Sequence, residues 1–193
     1  MSTKAATSEK RPARERLLAA AEELFYGEGI NTVGIDRIIE RAGVAKASLY
    51  DCFGSKEELI RSYLHSRHEA RRRRITEGLK RFTTPRTRLL GVFDIQGDTF
   101  RSQSFRGCPF VRASAEVKPE SAGKVVCDES REWMRSLFLD LAKEAGARNA
   151  ALLADKLLLV YDGAAVAAQM DANKASIASA REVAELLLEK HLK

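Results

Sequence analysis

An all-α fold is what this sequence predicts, with an N-terminal three-helix helix-turn-helix domain ahead of a longer helical half. Three observations carry the prediction. Apolar residues recur at three- and four-residue spacing from Leu17 almost to Leu192, and no stretch alternates as a strand would. Glycines fall between those runs, where helices end. Only 4 prolines and 7% aromatic residues occur in the 193-residue chain, which suits helices better than a sandwich or barrel.

Residues 1–11 are small, polar and charged, and read as a disordered basic arm. Pro12 suits a helix start. Leu17, Leu18, Ala21, Leu24 and Phe25 follow at helical spacing, and Gly27 and Gly29 end that helix. Ile30 and Val33 plug the core from the connection. Gly34 and Asp36 open the second helix, Asp36 favourably placed at its positive end. Ile35, Ile38, Ile39 and Ala42 form its buried face, and Gly43 is the left-handed residue that closes it. Lys46 to Phe53 is the third helix, with Leu49 and Phe53 apolar at i, i+4 and Gly54 as its stop. Ser55 caps a long fourth helix, with Glu58 completing a capping box. That helix carries Leu59, Ile60, Tyr63, Leu64, Ile75, Leu79 and Phe82, and ends before Thr83-Thr84-Pro85.

The remainder reads as helices at Pro85 to about Gln103, Phe110–Val117, Ala122–Ala145, Ala150 to about Met170 and Lys174–Leu192. Breaks fall at Phe105–Pro109, Lys118–Glu120 and Gly146. The predicted organisation is therefore an arm over 1–11, a helix-turn-helix domain over 12–55, and a longer helical domain over 56–193.

Charge supports a nucleic-acid module. Residues 1–82 hold 17 Lys/Arg against 12 Asp/Glu, an excess of five in a chain whose net charge is +6. The N-terminal segment has no apolar core of a secretory signal, and no apolar run approaches the roughly 20 residues of a membrane span, so a cytoplasmic location without a membrane partner is expected. Cys52, Cys108 and Cys127 make neither a CxxC pair nor a zinc spacing. His65, His68 and Glu69 lack further ligands, and a solvated helix face is the expectation there. No GxSxG, P-loop, HExxH or GxGxxG is present, so neither an enzyme nor a bound cofactor or metal is expected.

The stretch from Leu17 to Leu64 orders these parts as helix, Gly-x-Gly, short helix, Ala42-Gly43-Val44, then Ala47-Ser48-Leu49-Tyr50, Phe53 and Ser55-Lys56-Glu57-Glu58-Leu59. It resembles the N-terminal domain of the tetracycline-repressor (TetR) family of bacterial transcription regulators. The resemblance implies a ligand-responsive DNA-binding regulator, a repressor in the first instance, acting on duplex operator DNA as a homodimer. Activation, or sensing of oxidants and electrophiles through Cys108, are the alternatives. Gly34 stands where the family often has a capping Thr. Ala47-Ser48 stands for its usual Gly-Thr, and Asp51 and Cys52 for an aromatic or His. Base preference therefore does not carry over.

The candidate DNA-binding residues are Gly34, Lys46, Ala47, Ser48, Tyr50, Asp51, Ser55 and Lys56. Lys46, near the start of the recognition helix, can reach guanine O6/N7 or a phosphate, and Ala47 a thymine methyl. Ser48 and Tyr50 can donate to phosphate, which sets register. Ser55 and Lys56 at the next helix start form a phosphate clamp and a joint to the sensing half. Asp51 either selects cytosine N4 or caps and points away. One recognition helix reads few base pairs, so a dimer is expected. Leu153, Leu157, Val160, Ala164, Ala167, Leu187 and Leu188 are its candidate interface, the alternative being intramolecular core.

The resemblance further implies a small-molecule effector in the C-terminal half. Candidate lining residues are Phe93, Gln96, Phe100, Cys108, Phe110, Trp133, Met134, Phe138 and Tyr161, against the alternative of plain core. Cys108 precedes a helix start beside Arg106 and Arg112, conditions that raise thiol reactivity; a small buried hydrophobe at a tight loop is the expectation and a sensor thiol the alternative. Arg71 to Arg74 are consecutive and so point in several directions around their helix.

Overall fold

The computed structural model describes residues 11–170 and 176–192. Among them are nine helices and no strand: α1 (Ala13–Glu28), α2 (Ile35–Ala42), α3 (Lys46–Phe53), α4 (Lys56–Leu79), α5 (Pro85–Phe100), α6 (Pro109–Glu116), α7 (Ala122–Glu144), α8 (Ala150–Met170) and α9 (Ser176–His191). The chain is all-α. The expected arm lies outside the described residues apart from Arg11, as does Lys174, the expected start of the last helix.

The helices divide into two compact units. One holds the described residues up to His68 together with Pro109–Asp128; the other holds Glu69–Cys108 and the described residues from Glu129 onward. The division falls inside α4 and α7.

In the first unit, Leu17, Ala21, Leu24 and Phe25 of α1 are buried with Val33, Ile38 of α2 and Leu49 and Phe53 of α3. Ile35 and Ile39 are half-buried at the edge of this core. Phe25 meets Tyr63 of α4 edge-on at 5.5 Å, and burial pushes the Tyr63 phenol up to about 12. Two eight-residue helices would not survive alone in water; packing against α1 holds them.

The turn between α2 and α3 is specified at Gly43. Its φ of 62° and ψ of 44° place it in the left-handed region. Gly43 N donates to Glu40 O at 3.1 Å and Val44 N to Ile39 O at 3.1 Å, the paired bonds of a Schellman stop. Arg16 Nη2 of α1 donates to the Gly43 carbonyl at 2.5 Å, so α1 grips the corner of the motif. A Cβ at Gly43 would lie 2.7 Å from that nitrogen.

Ser55 accepts from Glu58 N at 3.1 Å, which gives one half of the expected capping box. The Glu58 carboxylate instead receives Arg61 Nε at 2.7 Å. A reciprocal box forms where none was expected: Thr84 accepts from Thr87 N at 3.2 Å and its own N donates to Thr87 Oγ1 at 3.1 Å, at the start of α5.

The second unit closes around Leu89, Val92 and Phe93 of α5, Phe138 and Leu141 of α7, Leu153 and Leu157 of α8, and Ala184 and Leu188 of α9. Phe93, Phe138 and Tyr161 form a ring trio with centroids 5.9–6.1 Å apart.

Candidate functional site

Burial of Leu49 and Phe53 fixes how α3 is rotated. The opposite side then shows Lys46, Ala47, Tyr50 and Asp51 exposed and Ser48 half-buried. Tyr50 keeps 45% of its surface in solvent. Gly34 is exposed as the residue before α2, and no side chain caps that helix, so its first-turn N–H groups remain open to an anion.

The cations of this face are arranged rather than scattered. Lys46 Nζ lies 3.0 Å from Asp36 Oδ1 of α2; that hydrogen bond, then the Asp36 charge, raises the ammonium above its ordinary value. Arg41 makes a forked pair with Glu23 at 2.7 and 2.9 Å, and Arg37 pairs with Glu28, both joining α2 to α1. Arg14 lies over the Phe53 ring at 5.0 Å. Arg16 and Asp36 therefore shape the motif across helices; Arg16 carries no local sequence signal, and the one Asp36 carries concerns only the start of α2.

Lys56 faces inward. Its Nζ donates to the Ile30 carbonyl at 2.9 Å and stands 5.9 Å from the Phe25 ring centroid; burial lowers its pKa, with Glu116 pulling the other way. Its ammonium is engaged with the α1–α2 turn. Ser55 is half-buried and occupied with the start of α4.

In the second unit, most effector candidates are core. Phe93, Phe100, Met134 and Phe138 are buried, with Tyr161 beside them and Trp133 half-buried under Arg72 at 5.9 Å. Phe110 belongs to the first unit, edge-on to His68 at 6.4 Å. Gln96 Nε2 donates to the Tyr161 carbonyl at 2.8 Å, and its buried Oε1 has no partner. Arg71 is buried, unlike Arg72, Arg73 and Arg74, and donates to Ser130 Oγ at 2.5 Å. Burial raises the Tyr161 phenol, although Arg71 and Arg74 oppose it. Cys108 is half-exposed and within electrostatic reach of Tyr161. Arg106 donates to the Gln103 and Phe105 carbonyls at 3.2 and 3.1 Å, and Arg112 to the Tyr26 carbonyl at 2.7 Å. A groove of about 490 Å³ lies elsewhere in this unit, between Arg81, Asp94, Asp98, Arg101, Ile177 and Arg181. None of the aromatic candidates lines it.

Of the dimer candidates, Leu153, Leu157, Ala164 and Leu188 lie in the unit's own core, while Val160, Ala167 and Leu187 are half-buried. The apolar surface that α8 and α9 leave outside is different: Leu152, Leu159, Val166 and Met170 on α8, Val183 and Leu186 on α9. Leu159, Met170 and Leu186 are 71%, 78% and 64% exposed. Leu152, Leu159 and Val166 repeat every seven residues, and exposed Gly163 and Met170 fall four after the last two. That a/d-type spacing makes them one outward seam on α8. Leu152 and Leu186 stand in the sequence beside the inner leucines, and burial of α8 and α9 separates the two sets.

Among the described residues no three His, Cys, Asp or Glu gather as a metal site, and no helix is long and apolar enough to cross a membrane.

A three-helix module of this register, joined to a larger helical unit, defines a class: helix-turn-helix regulators. The family described as "Bacterial regulatory proteins, tetR family" matches residues 17–63. The transcriptional repressor NemR of Escherichia coli is 32% identical over 147 residues, covering 75% of this chain and 66% of that protein. The transcriptional activator FasR of Mycolicibacterium smegmatis is 32% identical over 125 residues, covering 60% of this chain and 57% of its own. The chain thus spans under two thirds of either relative's length. A crystal structure of a TetR-family regulator from Streptomyces coelicolor superposes with a TM-score of 0.88 at 29% identity, covering 94% of this chain and 96% of that one. The chain belongs to the TetR family, whose members are regulators and not enzymes.

Proposed function

We propose that the protein is a transcriptional repressor that binds a palindromic operator as a homodimer and releases it when a small molecule occupies the second unit. One observation carries the reading: burial of Leu49 and Phe53 turns Lys46, Ala47, Tyr50 and Asp51 outward together at a helix-turn-helix. The helix start, at Lys46 and Ala47, addresses base edges, and Tyr50 and Ser48 address phosphate. Asp36 lies 3.0 Å from Lys46, which biases the direction from which the ammonium meets the groove.

One such helix reads too few base pairs for a unique site, so the second copy joins through the outward α8–α9 seam of Leu152, Leu159, Val166, Val183 and Leu186. Two α3 helices then meet half-sites about one turn, roughly 34 Å, or more apart. The buried trio of Phe93, Phe138 and Tyr161, with the unpartnered Gln96 Oε1, is the place where a ligand gains most by opening the core. Rearrangement there shifts α4, whose first turn ties the DNA-reading unit through Lys56. Ligand binds the DNA-incompetent spacing better and so lowers operator affinity.

Selection from random duplex DNA followed by titration tests the reading: wild type enriches an inverted repeat, and Tyr50→Ala loses affinity across sequences. No enriched sequence sinks it. Activation, as FasR is described, is separated from repression by run-off transcription on the enriched operator. A thiol switch is favoured by the half-exposed Cys108 beside Tyr161. N-ethylmaleimide changes operator affinity of wild type and not of Cys108→Ser if that switch exists.

A further inference from the structure

The α1–α2 turn is held by α6, a helix 85 residues further along the chain. Asn31 gives Glu116 both its donors. Its backbone N–H donates to Glu116 Oε2 at 2.9 Å, and its Nδ2 donates to the Glu116 carbonyl at 2.9 Å. One turn earlier on α6, Arg112 Nη1 donates to the Tyr26 carbonyl at 2.7 Å. That carbonyl belongs to the last turn of α1, where helical partners run out and a cation meets the negative pole. Lys56 secures the Ile30 carbonyl at 2.9 Å from the other side.

The fit is close. Gly29 sits at φ 103°, and a Cβ there would stand 3.2 Å from both Glu116 carboxylate oxygens. The space left beside Phe25, Ile30, Tyr63 and Ala113 is about 10 Å³, at the limit of what one water needs. All of these residues fall within one compact unit. The buried residues of α6 are Phe110 and Ala113, so Arg112 and Glu116 contribute polar contacts and not its apolar face.

We infer that Arg112 and Glu116 are positioning residues for operator recognition: they fix the α1–α2 turn, which seats α2 and so aims α3. The step from turn to α3 is short. Asn31 lies three residues before Gly34, where α2 begins, and Val33 between them is fully buried. The side chain of Asp36, in the first turn of α2, in turn holds Lys46. Base readout requires each donor at one place in the groove. Phosphate attraction tolerates displacement. Loosening the turn therefore costs specific binding and spares non-specific binding. The inference rests on the DNA-binding reading above.

The test is an anisotropy titration with the enriched operator and with a random duplex of equal length, alongside hydrogen exchange at the Asn31 amide. Glu116→Ala and Asn31→Ala each weaken operator binding about tenfold, with random-duplex binding unchanged. Glu116→Gln stays within about threefold, because its amide oxygen still accepts the Asn31 N–H. Exchange at Asn31 accelerates in Glu116→Ala and not in Glu116→Gln. Arg112→Gln leaves both Asn31 bonds in place and gives the same selective loss through Tyr26, which keeps the inference testable where Glu116→Ala does not fold. Unchanged operator affinity in these variants, or operator and random-duplex affinities falling together, overturns it. A wild type that binds no duplex selectively overturns the DNA-binding reading instead, and the exchange arm still decides whether Glu116 holds the turn.

Discussion

The two units put their candidate functional residues in opposite places. In the first, Lys46, Ala47, Tyr50 and Asp51 stand outside a finished core, and the core residues Leu49 and Phe53 serve only to aim them. In the second, Phe93, Phe138 and Tyr161 are themselves the core. A surface that reads a rigid duplex can be complete before its partner arrives. On the proposed reading, a small molecule admitted here opens packed rings, so the empty form is close to an ordinary interior. The contrast teaches that recognition and stability are separable in the first unit and share residues in the second.

The sharpest way to break this contrast is to damage each core. Leu49→Ala removes a fully buried side chain and costs about 2–5 kcal/mol, enough to melt α3 and abolish operator binding. Circular dichroism melting with operator titration reads both losses. Phe138→Ala costs about 3–5 kcal/mol in the second unit. A Phe138→Ala protein as stable as wild type would mean that the trio is a preformed pocket and not core.

Next in size is the dimer. Leu159→Glu places a charge on the exposed seam without entering the core, so helix content is kept while sedimentation shows a monomer at micromolar concentration. Operator affinity falls about a hundredfold, and dimeric Leu159→Glu would move the interface elsewhere. On the reading face, Tyr50→Ala loses about tenfold on every duplex, with unfolding unchanged within about 0.5 kcal/mol. Smallest is Asp36→Asn. It frees Lys46, raises random-duplex binding by about twofold and relaxes base preference, which a repeated selection displays. The same enriched sequence from both proteins would show that the Asp36 contact has no part in readout.

How far the sequence led follows the same division. Helix ends at Gly43, Gly54 and Gly146 were legible because left-handed stops are local, and their φ values are 62°, 75° and 74°. The register of α3 was legible because two apolar residues at i, i+4 leave one rotation. The Ile30 carbonyl 2.9 Å from Lys56 Nζ was not legible: a lysine at a helix start looks free until the turn it meets is folded. Arg16 and Glu116 gave no signal, and Asp36 and Arg112 were read only for their local helix, since each bonds to a distant segment. The α8 leucines were ambiguous because an apolar helix has no outward face until α9 covers one side of it.

The central claim is that outward α3 residues on a dimer read an inverted repeat. Selection of bound sequences from random duplex DNA measures it most directly. The account predicts two matching half-sites in inverted orientation, their centres about one turn or more apart, and their loss with Leu159→Glu. An enriched single half-site with wild type, or no enrichment above input, would contradict it.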